Sequence, residues 1–254
     1  MRNLLLTVSY DGSGYHGWAR QPGIRTVCGR MEEVLSEYFC TQIELEGASR
    51  TDAGVHAYGQ RATLRTELGV PLDKIPRVFN TALADDRIEG LSDIRVVAAE
   101  EKPEGFHARF DAKGKRYIYR IRNSAAPDIF LKHYRWQVQK PLDLEAMKQA
   151  CPYIVGEKDF ACFQSAGGTP RESTVREVFS LDVNRMEDPS ELELRIEGSG
   201  FLYNMVRIIT GTLVEVGLGK RSPQDLAGII ESKDRSRAGI IAPAGGLWLD
   251  EVFY

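Results

Sequence analysis

The sequence predicts an α+β fold, in which helices are mixed with mainly antiparallel strands. Segments with alternating apolar residues occur in both halves of the 254-residue chain, and amphipathic helical segments lie between them. Residues 177–183 and 191–196 form a hairpin pattern around the turn-rich segment 186–190, and connections this short favour antiparallel pairing over a doubly wound parallel sheet. Hydrophobic residues make up 43% and charged residues 27% of the chain, which excludes a disordered or collagen-like protein.

The first half of the chain opens with a strand over 4–10, where apolar residues recur at every second position. A glycine-rich loop follows, and then a helix for which Thr26 is the predicted N-cap, because the apolar residues after it recur at helical spacing. The further elements predicted for this half are strands over 43–46 and 56–64, a helix over 71–83 and a strand around 94–98.

The second half repeats the mixed pattern. A long helix is predicted from Phe201 to Val216, because apolar residues share one helical face over this stretch. The further elements predicted here are strands over 115–122, 133–139, 177–183, 191–196 and 246–254, a helix over 144–151 that Pro152 ends or kinks, and a helix opened by a capping box at 222–225. We place the domain boundary near 104–112, which gives an N-terminal α/β domain of residues 1–107 and a C-terminal α/β domain of residues 108–254.

Charge and cysteine usage exclude several classes of protein. The net charge is −3, yet residues 102–140 hold ten Lys and Arg against three Asp and Glu, so this segment carries +7 and the remainder −10. Nucleic-acid binding would therefore depend on a local patch. The four cysteines form no Cys-x-x-Cys pair, which argues against a zinc site. The N-terminal residues lack a secretory pattern and polar residues interrupt the apolar stretch 201–218, so we expect a reduced, cytoplasmic protein without a membrane span.

The strand over 115–122 carries a pattern suited to nucleic acid. Tyr117, Tyr119 and Ile121 lie on one face, and the opposite face is basic through Arg116, Arg120 and Arg122. Arginines bind phosphates, and tyrosine rings stack on bases. A half-buried strand with a basic solvent face explains the same pattern.

Two loops carry candidate chemistry. Gly12-x-Gly14-x-x-Gly17 matches a dinucleotide-binding fingerprint, but the helix begins only after Thr26, so a tight glycine loop is the favoured interpretation and an oxidoreductase the alternative. Asp52 lies in a polar loop between two strands, two positions after Arg50, where it is either a nucleophile or base, or an ordinary turn residue. Arg207 interrupts an apolar helix and needs a carboxylate partner such as Asp52, or a path to solvent.

Six segments together resemble the TruA family of tRNA pseudouridine synthases, and they occur in the family's order along nearly the whole chain. These segments are Tyr10-Asp11-Gly12-x-Gly14-Tyr15-x-Gly17-Trp18, Gly47 to Ala57 around Asp52, Phe106-His107-Ala108-Arg109-Phe110 with Lys115-x-Tyr117-x-Tyr119, Asp159-Phe160-x-x-Phe163, Phe201 to Arg207, and Ala242-Pro243-Ala244-x-Gly246-Leu247.

The resemblance implies an isomerase that converts uridine to pseudouridine at positions 38–40 of the tRNA anticodon stem-loop, without cofactor or metal. It implies that Asp52 is catalytic, that Tyr117 packs on the target base, that Arg207 pairs with the aspartate and that Arg50 helps to displace the target nucleotide. Further residues expected to contact substrate are Tyr119, Arg109, Arg116 and Arg120. The implied fold is two α/β domains joined through a continuous, mainly antiparallel mixed sheet with helices on one side, and the implied assembly is a homodimer around tRNA.

Several positions depart from the family pattern. Ala19 and Cys28 stand where glutamine is common, Met31 where leucine is common, and Lys158 and Asn204 where histidine is frequent. We expect none of them to touch Asp52, Tyr117 or Arg207, and we expect them to lie in segments that contact RNA. They motivate the hypothesis of a shifted or narrowed set of target uridines. An RNA-binding protein that has lost catalysis is the alternative function.

Overall fold

The chain divides into two compact units. The N-terminal unit contains Met1–Lys113 together with Leu249–Tyr254, and the central unit contains Gly114–Trp248. The predicted α+β class, with a large, mostly antiparallel mixed sheet and helices, is confirmed. The predicted domain division between residues 107 and 108 stays a prediction. The computed structural model describes residues 1–84, 92–167 and 173–254.

The helices and strands follow the predicted order closely. Up to residue 123 they are β1 (Arg2–Tyr10), α1 (Val27–Phe39), β2 (Leu45–Gly47), β3 (His56–Thr66), α2 (Ile75–Leu83), β4 (Ile94–Lys102) and β5 (Gly114–Asn123). After it they are β6 (Trp136–Val138), α3 (Leu144–Ile154), β7 (Gly156–Asp159), β8 (Val175–Arg185), β9 (Glu191–Gly198), α4 (Met205–Gly217), α5 (Asp225–Ser232) and β10 (Leu247–Phe253).

In the N-terminal unit, β1 lies between β4 and β3, and both pairs are antiparallel. The short strand β2 pairs with β3, and the part of β10 in this unit also neighbours β3. Leu4, Leu5 and Leu6 of β1 are all fully buried, so this strand is covered on both faces rather than on one. The Asn80 amide exchanges two hydrogen bonds with the backbone of Val96, which ties α2 to β4.

In the central unit, the strand order is β5-β9-β8-β7 with antiparallel pairing, and β6 pairs parallel to β5. Helices α3 and α4 pack on each other, and α3 also packs on β8. Contact between the two helices is close, since a Cβ added at Gly217 would lie 2.8 Å from the Met147 sulfur. The apolar faces predicted for these helices form the core of this unit.

Local capping explains where two helices begin. Thr26 is confirmed as the N-cap of α1, because its Oγ1 accepts a hydrogen bond from the Gly29 N–H at 3.2 Å. Asp143 caps α3 in the same way through the Ala146 N–H at 2.9 Å. The predicted capping box forms in one direction only: Asp225 accepts from the Ser222 N–H at 2.8 Å, and the helix begins at Asp225 rather than at Pro223.

Two of the predicted elements begin later than expected for reasons that local hydrogen bonds and backbone conformation explain. The strand predicted over 133–139 is reduced to Trp136–Val138, because the N–H groups of Tyr134 and Arg135 both bond the Leu131 carbonyl in a turn. Helix α4 begins at Met205 rather than at Phe201, because Asn204 adopts a left-handed conformation. No helix in the described parts of the chain is long and apolar enough to cross a membrane.

Candidate active site

The loop that carries Asp52 is held by backbone hydrogen bonds from the glycine-rich loop after β1. The Thr51 carbonyl accepts from the Trp18 N–H at 3.1 Å, and the Gly54 N–H donates to the Tyr15 carbonyl at 3.1 Å. Within the loop, the Val55 N–H donates to the Asp52 carbonyl at 3.1 Å and closes a tight turn around the carboxylate. The position of Asp52 is therefore set largely by main-chain contacts, which do not depend on side-chain rotamers.

Two glycines make this close approach possible. A Cβ added at Gly12 would lie 2.0 Å from the Val55 carbonyl oxygen. Gly17 has φ of +89°, and a Cβ there would lie 2.5 Å from the Thr51 oxygen and 3.1 Å from the Asp52 carbonyl carbon. The predicted tight loop is thus present, and its glycines serve backbone contact with the Asp52 loop rather than a dinucleotide.

Buried side chains brace the same loop from three directions. The Tyr10 hydroxyl and Thr51 Oγ1 lie 2.7 Å apart, and Gln60 exchanges two hydrogen bonds with the Ser49 backbone. The Gly12 N–H donates to Nδ1 of the fully buried His56 at 3.0 Å. Asp11 Oδ1 lies 3.2 Å from the same nitrogen, so this histidine links the start of the glycine-rich loop to the end of the Asp52 loop.

The candidate groups of this unit are at least partly accessible. Arg50 is exposed and Asp52 is partly exposed. Arg109 is also partly exposed, and its guanidinium lies 5.6 Å from the Phe110 ring, which is 74% exposed. Cations and an aromatic ring at the surface suit contact with a nucleic acid.

Tyr117 of β5 is buried and packs edge to face on Phe201, with ring centroids 5.4 Å apart and an interplanar angle of 88°. Phe201 was predicted to be a residue of the long helix, which is wrong; it precedes α4 and instead supports the Tyr117 ring. The edge-to-face contact fixes the plane of the tyrosine ring.

Tyr119 is fully buried, and its hydroxyl donates to the Pro243 carbonyl at 2.7 Å. Burial raises the pKa of this hydroxyl well above its usual range, with the Arg207 charge acting in the opposite direction, so the group stays a donor. Gly246 makes room for the ring, since a Cβ there would lie 2.5 Å from it. These contacts give Tyr119 a supporting position, and its predicted contact with substrate stays a prediction.

Arg207 lies in the first turn of α4 and is held by two acceptors. Its Nε donates to the Ala242 carbonyl at 2.7 Å, and its Nη1 donates to the Asn204 side-chain oxygen at 2.8 Å. The segment that supplies Ala242 packs directly on the helix backbone, because a Cβ at Gly211 would lie 1.9 Å from the Ile240 carbonyl oxygen. Two family segments, around Phe201–Arg207 and Ala242–Leu247, thus meet at one arginine.

The basic face of β5 is paired with acidic residues of β9. Three arginines of β5 lie directly opposite three glutamates of β9 and form ion pairs with them. The pairs are Arg116–Glu197 at 2.6 Å, Arg120–Glu193 at 3.4 Å and Arg122–Glu191 at 3.1 Å. Phosphate binding at this face would therefore require each arginine to share or exchange its carboxylate partner.

The departures from the family pattern differ in their surroundings. Cys28 and Met31 are buried side chains of α1, and burial raises the pKa of the Cys28 thiol; whether their segments contact RNA stays a prediction. Asn204 contacts Arg207, contrary to the expectation that no departure touches the candidate site. The sequence signal that could have found this contact is the three-residue spacing of Asn204 and Arg207 across a helix start.

The sequence model of the tRNA pseudouridine synthase family matches residues 6–111 and 150–254. The chain belongs to this family. It is 42% identical to tRNA pseudouridine synthase A of Thermoanaerobacter sp. (strain X514) and 44% identical to the protein of that name from Acetivibrio thermocellus, over the full length of each chain. A solved structure of the archaeal box H/ACA sRNP Nop10-Cbf5 complex contains a chain that is similar to this protein, with 10% sequence identity and a TM-score of 0.35. The match covers 92% of this chain and 59% of the chain in that complex.

For this tRNA pseudouridine synthase, the resemblance seen in the sequence is confirmed, together with the isomerase class and the conversion of uridine to pseudouridine in tRNA. The dinucleotide-binding alternative is excluded by the family and by the backbone role of Gly12 and Gly17. Among the described residues, no three His, Cys, Asp or Glu side chains cluster as metal ligands would. The roles of the individual site residues stay predictions.

Proposed function

We propose that this chain converts uridine to pseudouridine at positions 38–40 of the tRNA anticodon stem-loop, with Asp52 as its catalytic carboxylate. In this proposal, Tyr117 packs on the target base, Arg207 pairs with Asp52, and Arg50 helps to displace the target nucleotide. The observation that carries the proposal is the construction of the Asp52 loop, where two glycines without room for a Cβ hold the backbone of one partly exposed aspartate. Chain segments packed this tightly around one side chain are typical of a preorganised catalytic group.

The reaction needs few groups, which suits this set. The target uridine leaves the base stack, because its reacting atoms are shielded inside a helix. The bond between N1 and the sugar then breaks, the uracil turns, and a bond forms between C5 and the sugar. The C5 proton passes to water and N1 takes up a proton from water, so the product is an isomer of the substrate. Asp52 acts on the nucleoside as nucleophile or base, and no second carboxylate is required because no water is to be activated.

Tyr117 suits the shielding role for a chemical reason. Its ring is buried and held edge to face by Phe201, so it offers a fixed apolar surface. A phenol has no basic nitrogen that would activate water toward hydrolysis. The glycosidic bond can therefore be broken and remade without loss of the base.

The test is tritium release from tRNA labelled at C5 of uridine, comparing the unchanged protein with Asp52→Asn. We expect Asp52→Asn to lose turnover by a factor of about 10³ or more while tRNA affinity changes little, because the substitution removes no phosphate contact. The matched control is Asp73→Asn, the same chemical change at a carboxylate that is 71% exposed and pairs only locally with Lys74. The control should keep full activity.

Substrates with a single uridine at position 38, 39 or 40 test the proposed target set. Release from these and not from tRNA lacking uridine there supports the proposal, and release only from other positions contradicts it. Absence of release by the unchanged protein on every tRNA, with binding retained, would support the catalytically degenerate RNA-binding alternative. We further propose a cytoplasmic homodimer. Light scattering of the purified protein, with and without tRNA, tests the dimeric state.

A further inference from the structure

Asn204 occupies an unusual place at the start of α4. Its φ is +61°, in the left-handed region, and its carbonyl accepts the first helical hydrogen bond from the Ile208 N–H at 2.9 Å. Among residues with a side chain, asparagine enters this region at the lowest cost, which explains why a polar amide can stand here. Most N-caps instead have extended backbone and bind the helix N–H groups through their side chain, and Asn204 makes no such bond.

The amide of Asn204 binds two other side chains instead of the helix N–H groups. Its oxygen accepts from Nη1 of Arg207 at 2.8 Å, and its nitrogen donates to the hydroxyl oxygen of Ser165 at 3.1 Å. A guanidinium can only donate, so the amide oxygen must face Arg207 and the amide nitrogen must face Ser165. The backbone of Ser165 is held in turn, because its N–H donates to the Tyr203 carbonyl at 3.2 Å.

The place of Arg207 in the helix is the reason that its acceptors matter. It lies in the first turn of a helix, where the macrodipole repels a cation. The Ala242 carbonyl and the Asn204 oxygen together bind Nε and Nη1. Two bonds to one planar group fix its plane, and with it the direction in which Nη2 points.

We infer that Asn204 is a positioning residue, which orients the guanidinium of Arg207 for the reaction and is itself oriented by Ser165. The inference rests on the proposed catalytic role of Arg207. It also changes the meaning of the Asn204 departure, which now bears on turnover rather than on the choice of uridine.

The test distinguishes the effect of the backbone conformation at residue 204 from the effect of its side-chain amide. Asn204→Gly keeps the left-handed conformation without strain but removes the acceptor for Arg207, whereas Asn204→Ala removes the acceptor and adds strain. Asn204→Asp keeps an oxygen acceptor for the guanidinium. We expect Asn204→Gly and Asn204→Ala to lower kcat by a factor of about 10 to 100 with little change in KM, because a misdirected catalytic group costs rate rather than binding.

Four comparisons distinguish positioning from structural support alone. Asn204→Gly should unfold at a higher temperature than Asn204→Ala although both lose the same kcat, and Asn204→Asp should restore most of the rate. Adding Asn204→Gly to Arg207→Gln should lower kcat little beyond Arg207→Gln alone, because the two residues act through one group. Ser165→Ala should give a smaller loss, since it leaves the amide oxygen in place. Unchanged kcat in Asn204→Gly, or losses that multiply in the double variant, would overturn the inference.

A spectroscopic measurement tests the positioning of Arg207 by Asn204 independently of the proposed function. The guanidinium signals of Arg207 can be assigned in a nitrogen–proton NMR spectrum because they are lost in Arg207→Lys. We expect the Nη1 protons to give signals distinct from those of Nη2 in the unchanged protein, and a signal averaged with them in Asn204→Gly. If Arg207→Gln retains full activity, the catalytic role of Arg207 fails, and with it the link to turnover. A signal that is averaged before any substitution overturns the positioning itself.

Discussion

The Asp52 loop and the start of α4 hold their candidate catalytic groups by different means. Asp52 is placed by main-chain contacts that tolerate no Cβ at Gly12 or Gly17, whereas Arg207 is placed by an amide side chain and one carbonyl. Main-chain packing leaves few alternative arrangements, and side-chain hydrogen bonds can be replaced by other polar groups. We therefore expect the placement of the Asp52 carboxylate to change when volume is added beside its loop. We expect the placement of the Arg207 guanidinium to change when the polarity of its neighbours changes.

The largest effect is expected where volume is added beside the Asp52 loop. In Gly12→Ala, the methyl group would lie 2.0 Å from the Val55 carbonyl oxygen, so one loop must move. We expect a loss of at least about 2 kcal/mol in the free energy of unfolding, as for other overpacked sites, and a fall of about a hundredfold in kcat as Asp52 shifts. Chemical denaturation and C5 tritium release measure the two effects.

Gly14→Ala is the matched control in the same loop. A Cβ at Gly14 has its nearest contact 3.8 Å away, at the Arg25 guanidinium, and the backbone there is not left-handed. This variant should keep its stability within about 0.5 kcal/mol, as surface changes do, together with its activity. Equal losses in Gly12→Ala and Gly14→Ala would mean that the glycine-rich loop as a whole, rather than its backbone contact with Val55, places Asp52.

The sequence predicted the elements that carry the Asp52 loop, apart from the reason for its glycines. Period-two alternation located β1 and β3, and Thr26 located the start of α1, because each signal is local. The role of Gly12 and Gly17 depends on contacts with Val55 and Thr51, which lie 43 and 34 positions later and which no local pattern contains. The glycine spacing therefore matched a fingerprint of an unrelated site.

A smaller effect is expected where a single hydrogen bond supports the same loop. Tyr10→Phe keeps the ring against Trp18 and removes the hydroxyl that lies 2.7 Å from Thr51 Oγ1. We expect a loss of about 1 kcal/mol in the free energy of unfolding, the usual worth of one buried hydrogen bond, with kcat reduced by less than tenfold. A loss as large as that in Gly12→Ala would contradict the view that main-chain packing dominates at Asp52.

The start of α4 was harder to predict for a physical reason. Apolar periodicity extended the helix back to Phe201, but Asn204 is left-handed, so the helical backbone begins only at Met205, four residues later. Periodicity records which side chains are buried, and Phe201 is partly buried through its contact with Tyr117 rather than through a helix. The role of Asn204 became visible only with the geometry of its amide.

The smallest effect is expected on the basic face of β5. Its sequence pattern has two interpretations, a phosphate-binding face and a half-buried strand with a basic solvent face. Arg116, Arg120 and Arg122 each face a glutamate of β9, so their charges are already compensated within the fold. One phosphate contact by a fully available cation contributes about 0.9 to the slope of log affinity against log salt on duplex nucleic acid. We therefore expect Arg120→Gln to weaken tRNA binding slightly and to reduce the slope by less than that value.

The reciprocal substitution gives this prediction its control. Glu197→Gln removes the partner that lies 2.6 Å from Arg116 and leaves the arginine in place. If this face meets the tRNA backbone, Glu197→Gln should strengthen binding and steepen the salt dependence, since it removes one carboxylate that competes with phosphate for Arg116. Unchanged slopes in Glu197→Gln and in all three arginine variants would remove this face from the tRNA contact. The basic segment 102–140 would then have to bind tRNA through other residues, for which exposed Phe110 and neighbouring Arg109 are the next to substitute.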